Sequence, residues 1–133
     1  MANAIYPLYK QALLDASANV DLNDGTVKVA LIDTGTYTYN AAHEFFSSVT
    51  GVVGTPQTIA NTTVTNGVFD GDNVTYTALS GNTVEALLIY IDTGTAATSR
   101  LVAWIDTGVT GLQLIPNGGD VTITWNASGI FAL

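Results

Sequence analysis

Apolar and polar residues alternate with a period of two through most of this chain, and with a helical period in only two places. In TVKVALIDT, Val27, Val29 and Leu31 fall on one side and Lys28, Ala30 and Ile32 on the other, which predicts a strand. DNVTYTAL, TVEALLIYI, RLVAWID, VTITW and IFAL are equally short, rich in β-branched and aromatic residues, and bounded by Gly, Asn, Asp or Pro. The Thr/Gly-rich stretch Thr50–Gly67 holds weaker strands such as TIANTTVT. From Ala86 to Ile91 the chain is apolar on both sides, which predicts a central strand covered on both faces.

The first helical stretch is Ile5 to Ala16. Pro7 suits a first helical position, and Ile5, Tyr9, Ala12, Leu13 and Ala16 share one face, with Lys10 and Gln11 largely away from it. AAHEFFSSV predicts a second, short helix with Asn40 as its N-cap. Seven or eight strands with an N-terminal helix and one inserted helix point to an all-β fold, a sandwich or jelly roll. Residues 1–133 read as one domain, and residues 1–18 as a helical segment that either closes one end of the core or serves as an arm packed on a neighbouring chain.

Composition then narrows the function classes. The chain has 133 residues, of which 47% are hydrophobic and only 11% charged, against about 25% charged in an average domain. Its coat is Thr, Asn, Ser and Gly, with 20 Thr; such neutral faces dock on a partner without large desolvation costs. The net charge is −8, and Lys10, Lys28 and Arg100 are the only cations. Three cations make no basic track for a phosphate backbone, so no nucleic-acid partner is expected, and an anionic membrane would repel the chain. There is no cysteine. The longest purely apolar run, Ala86–Ile91, is far short of a membrane span. MANAIYPLYKQALL lacks the basic start and continuous apolar stretch of a secretion signal.

One motif raises a catalytic question. IDTG occurs at 32–35, 91–94 and 105–108, and Asp-Thr-Gly also surrounds the catalytic aspartate of aspartic proteases. Those enzymes need two carboxylates sharing one proton. Three copies are one too many for a dyad, and each follows an alternating apolar strand: VKVALIDTG, LLIYIDTG and LVAWIDTG. The motif therefore reads as a strand ending in a turn, where Asp and Thr bond nearby backbone and Gly accepts positive φ. The single histidine, His43, has no G-x-S-x-G elbow to serve and reads as a capping or packing residue. DGDN at 70–73 and NGGD at 117–120 read as turns rather than calcium loops, lacking the regular spacing and closing glutamate. No enzyme activity and no cofactor are expected. Trp125 shares a face with Val121 and Ile123 and is expected in the core; Trp104 shares one with Val102 and also Arg100, so it reads first as a core residue and second as one at an interface or a sugar-stacking surface.

The wording of the chain adds a further expectation. ANAIYPLYKQALL (2–14), GTVKVALIDTGTYTYNAAHEFFSSV (25–49), VEALLIYIDTGTAATSRLVAWIDT (84–107) and PNGGDVTITWNASGIFAL (116–133) are together similar to a family of small virion proteins of tailed bacteriophages. Its characterised relatives are capsid cement, or decoration, proteins of short-tailed phages. The resemblance does not extend over Gly51–Thr65. It implies a jelly-roll-like antiparallel β sandwich on the outside of the head shell, made in the host cytoplasm, with the major capsid protein and further copies of itself as partners: a homodimer first, a trimer second. The contact residues expected are Ile5, Tyr6, Tyr9 and Lys10 of the arm, with Arg100 and Trp104 secondary. On this reading, changing Tyr6 and Tyr9 to alanine weakens capsid binding or oligomerisation and leaves the β fold intact. The alternative is a carbohydrate-binding head-fibre or adhesin module, which needs an exposed aromatic platform flanked by Asn and Asp.

Overall fold

The computed structural model describes residues 3–133; the first two residues of the expected arm lie outside them. The elements in chain order are β1 (Ala4–Ile5), α1 (Pro7–Leu14), β2 (Thr26–Ile32), β3 (Val52–Thr58), β4 (Thr63–Thr65), β5 (Val68–Asp70), β6 (Val74–Tyr76), β7 (Ala86–Asp92), β8 (Arg100–Ile105), β9 (Val121–Ile123) and β10 (Phe131–Ala132). The expected class, an all-β antiparallel sandwich with an N-terminal helix, is the one adopted. Its layers are unequal. A five-stranded sheet runs β1-β8-β7-β2-β3; facing it are a three-stranded sheet, β10-β5-β4, and the pair β6-β9.

Register explains why β7 carries no polar side chain before Asp92. Val27, Val29 and Leu31 of β2 stand opposite Ile91, Ile89 and Leu87, while Lys28, Ala30 and Ile32 stand opposite Tyr90, Leu88 and Ala86. Directly opposite residues share a face, so both faces of the sheet centre are apolar and both must be covered. On one side Ile5, Ala103 and Ile105 meet Ile130 and Phe131 of the smaller layer along a single crevice. On the other, aromatic rings form the cover: Phe46 stacks on Tyr90 at 4.1 Å, Tyr37 lies 6.0 Å from Trp104, and Tyr6 packs on Tyr39 at 4.9 Å. The β2–β3 register slips between Val29 and Leu31, and there the Tyr76 hydroxyl donates to the Val29 carbonyl at 2.6 Å. That bond ties β6 to the large sheet.

Two local expectations are corrected. The first helix is shorter than Ile5–Ala16: Ala4 and Ile5 join the sheet edge against Trp104 and Ala103, and Ala16 turns to φ 52°. The segment AAHEFFSSV is not a helix beyond a single 3-10 turn at Phe46–Ser48. Strand β8 claims it instead. The Leu101 amide donates to the Glu44 carbonyl, the Phe46 amide donates to the Ser99 carbonyl, and Phe45 bridges Arg100. Those ladder bonds use backbone that a helix would have satisfied internally. Asn40 still receives the Ala42 amide, at 2.9 Å, as a turn.

Candidate interaction surface

The six residues expected to make contacts divide sharply. Tyr6 and Tyr9 are 0% and 1% exposed. The Tyr6 amide donates to Val102 and its hydroxyl meets that of Tyr37, while the Tyr9 hydroxyl donates to the Val20 carbonyl at 2.9 Å. Burial pushes the Tyr6 phenol far above its ordinary range and the Tyr9 phenol up to about 12. Both rings are already spent inside the chain's own core, so residues 7–14 are a docked helix and neither tyrosine offers contact area.

Arg100 and Trp104 are likewise withdrawn, at 6% and 2% exposure. The Arg100 guanidinium donates to Glu44 at 2.9 Å and to the Ala18 carbonyl at 3.0 Å, and it lies over the Phe45 ring. The group thus locks the Glu44–Phe46 strip and the loop after α1 onto β8. The Trp104 indole donates to Asp106 at 3.2 Å. Trp104 thus takes the core position its alternation favours, and neither residue offers free contact area in the folded chain, because their polar atoms and ring faces are satisfied within the fold.

Ile5 and Lys10 remain at the surface. With Leu13, Leu14, Ala132 and Leu133 they line a mostly apolar hollow where α1 meets the end of β10. Leu14 is 88% exposed and Leu133 62%. Lys28 pairs with Asp92 at 2.9 Å and Arg100 with Glu44, which leaves Lys10, among the described residues, as the cation outside any ion pair. Sequence reading missed Leu14 and Leu133. For Leu14 a signal existed: it follows Pro7, Lys10 and Gln11 on the polar stripe of the helix, where a leucine has no core to face. For Leu133 there was none, since only the pairing of β10 with β5 brings it near α1.

Of the three IDTG turns only 91–94 shows both expected features: Gly94 and Gly108 take φ 87° and 77°, whereas Gly35 lies outside the positive-φ region, and the Asp-to-Gly bond forms in the first two copies alone. Asp33 receives the Gly35 amide at 2.9 Å, and Asp92 receives that of Gly94 at 3.0 Å. The Lys28 ammonium, the Gly94 amide and Ser99 together hold the Asp92 carboxyl below the usual range. In the third copy Asn3 takes over: its carbonyl oxygen accepts from the amides of Asp106 and Thr107 at 2.7 and 3.0 Å. This clamp holds β1 in register on β8. No local pattern announces it, since the partners lie at opposite ends of the chain.

Antiparallel pairing places Asp33 and Asp106 at one end of the sheet, flanking β7, and Asp92 at the other. Two strand spacings separate the first two backbones, about 10 Å. The Asp33 oxygens also receive Asn82 at 2.9 Å and Thr36 at 3.4 Å. Beside this end lies a cleft of about 500 Å³ lined by Thr34, Thr38, Tyr39, Glu85, Trp104, Asp106 and Thr107. The Thr34 amide donates to Glu85 at 3.2 Å. His43, the only histidine, packs as expected: its Nδ1 is 2.9 Å from the Tyr37 hydroxyl and the rings stack.

No protein-family model matches the chain, and no curated protein matches it.

Proposed function

We propose that this chain is a structural decoration protein that binds the outer surface of a tailed-phage head and stabilises the shell. The observation that carries the proposal is the apolar hollow at Ile5, Leu13, Leu14 and Leu133, beside Lys10, on a body otherwise coated by uncharged polar residues. Such a surface binds by burying area. The aromatic and cationic groups best suited to chemistry or sugar stacking are mostly turned inward. The partner class is taken from the resemblance of segments 2–14, 25–49, 84–107 and 116–133 to small tailed-phage virion proteins, and is part of the proposal. A repeated lattice needs only a modest contact from each copy, because many contacts act on one shell. The net charge of −8 helps keep free copies soluble.

The test is binding of the purified chain to DNA-filled heads of the phage that encodes it. Leu14→Asp is expected to weaken binding at least tenfold with an unchanged β spectrum. Undiminished binding by Leu14→Asp removes this hollow as the contact, and absence of the wild-type chain from heads removes the reading.

A second reading is a carbohydrate-binding module. It is favoured by the cleft at the sheet end, where the half-buried Tyr39 stands among two carboxylates and three threonines. A glycan array separates the two. Decoration predicts a blank, whereas sugar binding predicts hits that vanish in Tyr39→Ala.

A further inference from the structure

We infer that β4 is the contact through which two copies of this chain associate, pairing antiparallel about a two-fold axis at Val64. The reasoning starts from the hairpin Thr63–Asp70. Asn66 and Gly67 take φ 51° and 78°, the two positive values of a type I′ turn. This fixes Thr65 opposite Val68, Val64 opposite Phe69 and Thr63 opposite Asp70.

Hydrogen-bond directions alternate along a strand. The Phe69 carbonyl receives the Ile130 amide at 2.8 Å, on the side of β10. Phe69 therefore turns its backbone groups away from β4, and Val64 is the non-hydrogen-bonded partner across from it. The Val64 N–H and C=O then point outward, beyond the last strand of the sheet. β4 is that last strand.

The Val64 side chain leads to the same place. It shares a face with Phe69, which is 1% exposed in the core, yet Val64 is 51% exposed. It stands on the same side of the sheet as Phe69, at an edge with no strand beyond it. A strand laid alongside would bond its backbone and cover its methyl groups together.

A second copy meets both needs. An antiparallel strand with Val64 facing Val64 exchanges two N–H···O=C bonds and sets the two side chains side by side. Charge permits it: residues 45–69 contain no ionisable side chain in a chain of net −8. The nearest acid in the sheet, Asp70, would lie three strand spacings from its mate, about 14 Å, beyond the screening length of about 8 Å at physiological salt. The edge also lacks the lysine, proline or bulge that usually blocks such pairing. Its three-residue length limits the strength, so association is expected to be weak and to matter where copies are held close together. The inference does not depend on what the protein decorates.

The experiment is sedimentation of the wild-type chain from roughly 10 μM to 1 mM, a range that spans weak association, with amide hydrogen exchange at each end. A dimer is expected to grow in with concentration, and the Val64 amide to gain at least tenfold protection while Thr65, already bonded to Val68, changes little. Val64→Lys and Val64→Pro are each expected to weaken the dimer at least tenfold; Val64→Thr, which keeps the backbone donor and shape, is expected to retain it. A wild-type chain that stays monomeric to 1 mM overturns the inference. So does a dimer in which the Val64 amide exchanges as in the monomer, or one that survives Val64→Lys.

Discussion

Strands β7 and β4 mark the two extremes of this sandwich. β7 has a strand on either side and a covering layer on each face, and no side chain from Ala86 to Ile91 is more than 4% exposed. β4 has one neighbour, and all three of its residues are exposed. Intrinsic strand preference does not explain the difference: Thr-Val-Thr is at least as β-prone as Ala-Leu-Leu. Continuous apolar character does. A strand greasy on both sides is driven to the middle, where two faces can be buried at ~25 cal/mol per Å². A strand with one apolar residue is stable only at the rim. The rim is then where backbone is left for a partner. Helix α1 repeats the contrast on a smaller scale, with Tyr9 and Ala12 inside and Lys10 and Leu14 outside.

The contrast can be broken from the core outward. The largest effect is expected from alkali. Tyr6, Tyr9, Tyr76 and Tyr90 are held neutral by burial, with Tyr9 and Tyr90 raised to about 12 and the other two higher. In the unfolded chain they ionise near pH 10. The stability they contribute is therefore complete below pH 10 and falls as pH rises. At pH 11 the loss is ~1.4 kcal/mol for each, or ~5–6 kcal/mol together, a large share of a typical domain's total. Denaturant melts should collapse between pH 10 and 12, and an unchanged midpoint at pH 11 would show that these phenols are solvated. Tyr6→Ala comes next, at ~3–5 kcal/mol for a large side chain removed from a filled core, read from urea midpoints. An intact, fully stable Tyr6→Ala protein would return the helix to the status of a free arm.

Smaller effects probe the joints between the regions. Arg100→Met leaves the Ala18 carbonyl and Glu44 without their donor and should cost ~2–3 kcal/mol by thermal melting. Asp92→Asn removes a half-exposed pair with Lys28 and should cost ~0.5–1 kcal/mol. Because the Asp92 carboxyl is held low, its contribution is present above about pH 4 and disappears as pH falls. The substitution should therefore flatten the acid limb of the stability curve. Val64→Lys at the rim should shift monomer stability by no more than ~0.5 kcal/mol; a larger loss would mean that β4 is part of the core.

Much of this architecture was legible in the chain. Alternation in 26–32 and the apolar run 86–91 announced the two central strands, and the Asp-Thr-Gly repeats announced their turns, because strand faces and turn chemistry are local properties. Which residues stay open at the surface was not legible. Tyr6, Tyr9, Arg100 and Trp104 look like adhesive residues in a string of letters, since aromatic and cationic groups serve interfaces and cores equally well. The aromatic layer of Tyr37, Tyr39 and Phe46 needed company, and the α1 and β8 residues nearest it were drawn in.

The sequence by itself determined the strand class, the turns and the neutral, acid-leaning coat, because each follows from residues a few positions apart. Only the tertiary structure decided which surfaces stay open. Helix 7–14 was bound down through Tyr9 and the preceding Tyr6, the segment 44–46 was captured by a strand more than fifty residues away, and Leu14, Leu133 and Val64 were left facing water. Exposure depends on what packs alongside, and here the residues that pack alongside come from distant parts of the chain.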